Sequence, residues 1–264
     1  MEDLQKRAAL FDTAATAYEH YRPDYPPALI DDMLRFAEVT SSARLLEVGC
    51  GTGKATALVA RRGCRVDCVD PGAHLLAIAR GSCSAWPGVR FFLGRFEEVS
   101  LVPDCYDLLY AAQAFHWTDP ALRWTLCRRY VRPGGTVALI YNYGPLQQAG
   151  PEKDLGEELE AITAGAMRRS DHQTSVQAWT REMEGSGVFS SVQVRRYSWQ
   201  RSFTAEQYAG LVGTYSDFMM LPADLQEKVT EAILRIIGAS GGRLQHHYES
   251  FLFLGSLAPG DTAP

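Results

Sequence analysis

The sequence has no apolar run approaching the ~18 residues that a membrane-spanning helix needs. Its start, Met1-Glu-Asp-Leu-Gln-Lys6, lacks the apolar stretch of a secretory signal. Positive charge is not in excess either: 26 Lys and Arg stand against 31 Asp and Glu, a net charge of −5. That balance argues against a broad phosphate-binding surface, so no nucleic-acid partner is expected, and the missing apolar run predicts no membrane partner. The six cysteines, Cys50, Cys64, Cys68, Cys83, Cys105 and Cys127, form no CxxC pair and have no histidine ladder at zinc-finger spacing. They read as reduced thiols in a cytoplasmic protein. His246-His247 lacks acidic or cysteine partners at useful spacing, so no metal site is expected. There is no internal repeat and no low-complexity tract.

What is present is ordinary globular material. With 46% hydrophobic and 22% charged residues, the 264-residue chain can bury a sizeable core in one or two domains. Ala8, Phe11, Ala15 and Tyr18 recur at helical spacing over the first residues. Three prolines in Tyr21-Arg-Pro-Asp-Tyr-Pro-Pro27 then stop one helix and restart another at Ala28. From Arg44 onward, short apolar runs alternate with helical stretches. Strands are predicted over 44–49, 65–70, 89–93, 106–111 and 135–141, and helices over 54–62, 73–80 and 120–130. Such alternation predicts a parallel sheet covered on both faces. Beyond Asn142 the pattern breaks into helices over 152–169, 204–215 and 223–237. Strands are predicted over 190–199 and 248–254, and 258–264 reads as a frayed tail. Thr204 and Gln207 have capping-box spacing.

The sharpest local signal is Leu45-Leu-Glu-Val-Gly-Cys-Gly-Thr-Gly53, a glycine-rich turn between a strand and a helix. Glycines there let the backbone turn tightly and approach a ligand, and the helix start offers free N–H groups. Asp70 ends the next strand, 17 residues after the last glycine, where a carboxylate can hydrogen-bond a ribose diol. Two cofactors fit such a loop. A dinucleotide fingerprint is G-x-G-x-x-G, and here the spacing is one residue shorter. Glu47, two positions before the first glycine, would repel a pyrophosphate and suit a cofactor bearing an ammonium group.

At this point the chain resembles the class I S-adenosylmethionine (SAM)-dependent methyltransferases. Glu47-Val-Gly-Cys-Gly-Thr-Gly53 resembles their first motif, which implies cofactor contacts from Glu47, Gly49, Cys50, Gly51, Thr52 and Gly53. Asp70-Pro71 and Leu75 resemble the ribose- and adenine-binding segment. Gly94-Arg-Phe-Glu-Glu98 resembles the third motif, bringing Arg95, Phe96 and Glu97 to the adenine. Arg95 departs from the pattern, because an arginine cannot accept a bond from the adenine amino group. Tyr106–Trp117 resembles the fourth motif, with Gln113 and Ala114 near the methionine part, and Arg132–Ala138 the turn into the fifth strand. Ala112–Pro120 and Tyr21–Pro26 resemble the type 11 subgroup that includes relatives of trans-aconitate methyltransferase.

The resemblance implies a Rossmann-like α/β fold, with a seven-stranded, mostly parallel sheet whose last strand is antiparallel. It divides the chain into an N-terminal helical lid (1–40), a SAM-binding core (41–145) and a C-terminal part with helical insertions (146–264). Tyr18 and Arg22 would close over the cofactor, an aromatic face attracting the sulfonium. His116, just past the fourth strand, is the candidate base. The expected activity is O- or N-methylation of a small molecule by direct displacement, yielding S-adenosylhomocysteine. The alternatives are a SAM-binding partner protein without catalysis, an RNA or protein methyltransferase and, disfavoured by the loop, an NAD enzyme.

Overall fold

In a computed structural model that describes residues 10–144, 149–167 and 172–258, the apolar runs form one sheet of seven strands. The N-terminal segment gives helices α1 (Ala15–Tyr21) and α2 (Pro27–Phe36), the second started by Pro27. Strand β1 (Arg44–Val48) leads into α3 (Lys54–Ala60), β2 (Arg65–Asp70) into α4 (Ala73–Ser82), and then comes β3 (Val89–Leu93). Strand β4 (Tyr106–Ala112), a 3₁₀ turn at Phe115–Trp117, α5 (Arg123–Tyr130) and β5 (Val131–Tyr143) complete the alternating half. The rest comprises α6 (Pro151–Ile162), α7 (His172–Gly185), β6 (Phe189–Thr204), α8 (Ala205–Gly213), α9 (Ser216–Met219), α10 (Ala223–Ala239) and β7 (Arg243–Leu257).

The strand order is β3-β2-β1-β4-β5-β7-β6. Strands β1 to β5 pair in parallel, while β7 runs antiparallel to both β5 and β6. The expected fold class is therefore the observed one. The two-residue period of each strand splits the core by face. Leu45, Val66, Leu108, Ala138 and Leu252 pack under α2 and α3, and Leu46, Val69, Leu109, Val137 and Phe253 pack under α5 and α7. A third cluster lies outside the alternating half, where Phe203, Tyr208, Leu211, Ile233, Leu244 and Tyr248 meet Leu155 of α6.

Several boundaries differ from the sequence reading. Strand β5 begins at Val131 rather than 135, because Val131 already pairs with Tyr106; Arg132–Gly135 then form an irregularity, with Gly134 at φ 74°, before regular pairing resumes at Thr136. Strands β6 and β7 run longer than the expected segments because they pair with each other along almost their whole length, from Phe189↔Leu257 to Thr204↔Arg243. Helix α6 stops at Ile162, and the predicted extension to Arg169 ends outside the described residues, as do the start at Met1–Ala9 and the tail from Pro259. Helix α7 was not expected. The Thr204 capping box forms as predicted: Thr204 Oγ1 accepts from the Gln207 N–H at 3.2 Å, and Gln207 Oε1 from the Thr204 N–H at 2.9 Å.

Candidate functional site

Beyond Val48 the chain turns sharply at the carboxyl end of β1. The N–H groups of Gly49 and Cys50 both donate to Val69 O, at 2.8 and 3.2 Å, tying the loop to the end of β2. Gly49 and Gly51 have φ of 70° and 55°, a region that favours glycine. Their surroundings differ. A Cβ on Gly49 would stand 2.3 Å from Ala114 Cβ, whereas one on Gly51 would meet nothing within 4 Å. Gly49 is thus pressed against the chain leaving β4, and Gly51 borders open space. Gly53 packs against α4, its Cβ position 3.2 Å from Ala79 Cβ.

Two buried carboxylates flank this loop. Asp70 Oδ2 accepts the Gly51 N–H and Oδ1 the Gly72 N–H, each at 2.8 Å. Burial outweighs those bonds and raises its pKa to about 6. Glu47 Oε2 accepts from the hydroxyls of Thr56 at 2.5 Å and Tyr110 at 2.8 Å. Burial again dominates and raises the Glu47 pKa to about 7. Both acids sit where their charge is costly unless a cationic or hydrogen-bonding ligand arrives.

The loop separates two adjoining cavities. One, of about 560 Å³, is lined by Asp70, Pro71, Leu75, Arg95, Phe96, Glu97 and Ala114, with Phe11, Asp12, Thr13, Trp117 and Thr118 on its far side. The other, of about 230 Å³, is lined by Arg22, Glu47, Cys50 and Thr52, with Tyr25, Asn142, Tyr143, Leu211, Tyr215, His246 and Tyr248 opposite. Tyr18, Gly49, Gly51, Ala112 and Gln113 border both. The structure therefore brings together every expected cofactor residue except Gly53, which lies behind the loop. Gln113 occupies the left-handed region at φ 57°, strained for a non-glycine residue; its N–H donates to Ile140 O and its side-chain amide to Asn142 O, each at 2.8 Å.

Arg22 is held from the far half of the chain. Its Nε donates to Thr214 Oγ1 at 2.8 Å and its Nη2 to Thr214 O at 2.9 Å, with the guanidinium over the rings of Tyr18 and Tyr215. Arg95 pairs with Glu97 at 3.4 Å. His116 lines neither cavity. The residue as a whole is exposed, while its ring packs against Trp117 and Tyr141. Desolvation by the protein around it, with the charges of Arg123 and Arg22, lowers its pKa to about 4.

Sequence reading missed the far walls. Phe11 was noted only as a helical apolar position, and Asp12 not at all. His246 gave no usable signal because its acidic partner is remote in sequence: its Nδ1 pairs with Glu152 of α6 inside the protein. The neighbouring His247 Nδ1 lies 3.3 Å from the other oxygen of the same carboxylate.

Residues 46–139 match the family model described as a methyltransferase domain. An uncharacterised methyltransferase of Mycobacterium tuberculosis is 31% identical over 227 residues, covering 86% of this chain and 85% of that one. A trans-aconitate 2-methyltransferase of Deinococcus radiodurans is 31% identical over 99 residues, 37% of each chain. Among solved structures, a provisionally assigned type II methyltransferase from Anaeromyxobacter dehalogenans superposes with a TM-score of 0.67 at 23% identity, over 90% of this chain and 99% of that one. Phosphoethanolamine N-methyltransferase 2 of Haemonchus contortus, in complex with SAM, gives 0.54 at 15% identity, over 94% and 57%.

Proposed function

We propose a small molecule as the methyl acceptor of this chain, which belongs to the class I SAM-dependent methyltransferases. Its cofactor is SAM. The residues present fit that group on their own evidence. Asp70, buried at the end of β2 with its pKa raised to about 6, faces a cavity of about 560 Å³ with Leu75 and Phe96, a place suited to a ribose and a flat base. Glu47 lines the adjoining cavity, where an ammonium group would favour its ionised form.

When bound, SAM supplies a methyl group already activated by its sulfonium. The chain's own residues then bind, orient and exclude water. In this reading Asp70 holds the ribose, and Arg95, Phe96 and Glu97 border the base. Gly49 to Thr52, with Glu47, hold the amino-acid end, and Arg22 offers its guanidinium to the carboxylate. Tyr18 stands at the junction of the cavities, where an aromatic face attracts a sulfonium. Residues 1–40 act as a lid over the 41–145 core, and 146–264 supply the acceptor wall.

The observation that carries the small-molecule reading is the adjoining cavity of about 230 Å³, which would take the amino-acid end of the cofactor on its Glu47 and Arg22 side and is closed by Tyr215, His246 and Tyr248 from the C-terminal half. That space suits a metabolite rather than a polymer. The relative named for trans-aconitate supports the same size class. We read the protein as cytoplasmic, on its free cysteines, and as having no nucleic-acid partner, on its net charge of −5. Among the described residues, no helix is long and apolar enough to cross a membrane. The decisive experiment is a methyl-transfer screen against a metabolite library with detection of S-adenosylhomocysteine, trans-aconitate included. Turnover with a metabolite is expected; turnover with RNA or protein alone overturns the reading.

A further inference from the structure

Among the described residues, no carboxylate stands at ion-pair distance from Arg22. Its two hydrogen bonds go to uncharged oxygens, Oγ1 and O of Thr214. The guanidinium is half-buried on the wall of the smaller cavity. A cation partly withdrawn from water and held only by neutral acceptors is short of an anion.

The two bonds occupy one edge of the fork. Nε–H and one N–H of Nη2 lie on the same side of a guanidinium, and Thr214 takes both. The end edge, one N–H each from Nη1 and Nη2, is left over, and that pair matches the two oxygens of a carboxylate. Thr214 is well placed to fix this orientation. It is the C-cap of α8 and 0% exposed, and its Oγ1 donates to Leu211 O at 2.6 Å, which leaves the oxygen lone pairs for Arg22. The rings of Tyr18, at 5.2 Å, and Tyr215, at 4.5 Å, restrict the plane of the guanidinium. One residue earlier, Tyr21 seats against Gly210 of the same helix, where a Cβ would stand 2.4 to 2.6 Å from three atoms of its ring. The last turn of α8 is thus a cradle for residues 21 and 22.

An independent observation points to a polar ligand end in the same cavity. Thr52 lines it and is 1% exposed, and its hydroxyl has no hydrogen-bond partner among the described residues. A buried hydroxyl left unpaired is costly until a ligand completes it.

On the reading that this cavity takes the amino-acid end of the cofactor, we propose that Thr214 is a positioning residue for the cofactor carboxylate. It acts through Arg22: by occupying the side edge of the fork it presents the end edge to the ligand. The C-terminal half of the chain thereby sets the preference for a cofactor that carries a carboxylate over one that lacks it.

The test compares two ligands by calorimetry, S-adenosylhomocysteine and its decarboxylated form, which keeps the base, the ribose and the ammonium group. Thr214→Val keeps the shape and the main-chain carbonyl but removes the hydroxyl. It is expected to weaken S-adenosylhomocysteine by ~3–30-fold, less than the loss of a hydrogen bond made directly to a charged ligand. The decarboxylated ligand should bind the variant as it binds the wild type, and Thr214→Ser should restore the difference between the two. In an Arg22→Gln background Thr214→Val should cost nothing further, because the group it orients is gone. Equal weakening of both ligands, no weakening of either, or an undiminished loss in the Arg22→Gln background overturns the proposal. Should Thr214→Val fail to melt cooperatively, Gly210→Ala takes its place, since its Cβ displaces Tyr21 and with it Arg22. The same selective loss is expected there, and the same non-selective outcomes overturn the proposal. A wild-type protein that binds neither ligand overturns the cofactor reading itself, so the two failures are distinct.

Discussion

Asp12 caps a helix that begins 61 residues further along the chain: its Oδ1 accepts the N–H of His74 at 2.8 Å and of Leu75 at 3.1 Å. These are the first-turn donors of α4, whose own N-cap, Gly72, has no side chain to offer. Asp12 Oδ2 also meets His74 Nδ1 at 2.8 Å. The N-terminal segment is thereby fastened beside Asp70 and Leu75, over the larger cavity. Asp12→Ala is expected to lose the cap, worth ~0.5–2 kcal/mol, and to speed amide exchange over 14–22. Adding S-adenosylhomocysteine should slow exchange there in the wild type. Equal exchange with and without ligand would make the segment a fixed part of the core.

Asp70→Ala should weaken SAM and S-adenosylhomocysteine by a similar factor, since both carry the ribose. Each lost hydrogen bond to a charged acceptor is worth ~1.5–3 kcal/mol. Because Asp70 also holds the N–H groups of Gly51 and Gly72, Asp70→Asn is the control that keeps one acceptor oxygen. Calorimetry showing unchanged affinity in both variants would remove Asp70 from the site.

The two glycines should fail differently. Gly49→Ala drives a Cβ into Ala114 and is expected to lower Tm. Gly51→Val meets no protein atom but puts a β-branched residue at positive φ where the ligand must approach. It should melt cooperatively yet bind no cofactor. A folded Gly51→Val that binds normally would place the ligand elsewhere.

Glu47 has a raised pKa, about 7, so the ligand-free fold holds a proton that the unfolded chain releases at lower pH. Stability without ligand should therefore fall as pH rises from about 4.5 through 7, and Glu47→Gln should flatten that slope. Cofactor affinity should move the other way, rising with pH across the same window as the carboxylate becomes available to an ammonium group. Titration calorimetry at pH 5.5 and 7.5 reads both the sign and its loss in Glu47→Gln.

His116 carries the opposite sign. With its pKa lowered to about 4, the unfolded chain binds a proton that the fold refuses between about 6.5 and 4. Acidification through that window should destabilise the protein, and His116→Gln should relieve part of the loss in thermal melts at pH 7.5 and 5.5. Because the ring lines neither cavity, S-adenosylhomocysteine affinity of the variant should match wild type.

The cofactor half was legible because its signals are local. Leu45–Gly53 and Asp70 are each read within one strand and its turn, and Thr204 with Gln207 within one helical turn. The wall supplied by the C-terminal half was not, because its contacts are set by topology. Arg22 finds Thr214 across 192 residues, and Glu152 reaches His246 only because α6 packs against the cluster that β7 carries. Helix α7 was missed because its apolar stripe, Val176, Trp179 and Met183 at spacings of three and four, is narrow and set among polar and β-branched residues. Packing decides it, through the fully buried Met183.

The β6–β7 hairpin outreaches the rest of the sheet: Arg243–Tyr248 of β7 pair only with β6, past the last β5 pair at Glu249. That overhang is a cantilever, and the third apolar cluster hangs from it. Helices α8 to α10 lie between its two strands in sequence, so their chemistry is free to be redrawn by mutation or exchange while β1 to β5 and the glycine turn stay as they are. Descent within such a fold can thus renew the α8–α10 cluster like a tool head on a fixed handle, leaving the glycine turn and its strands their original shape.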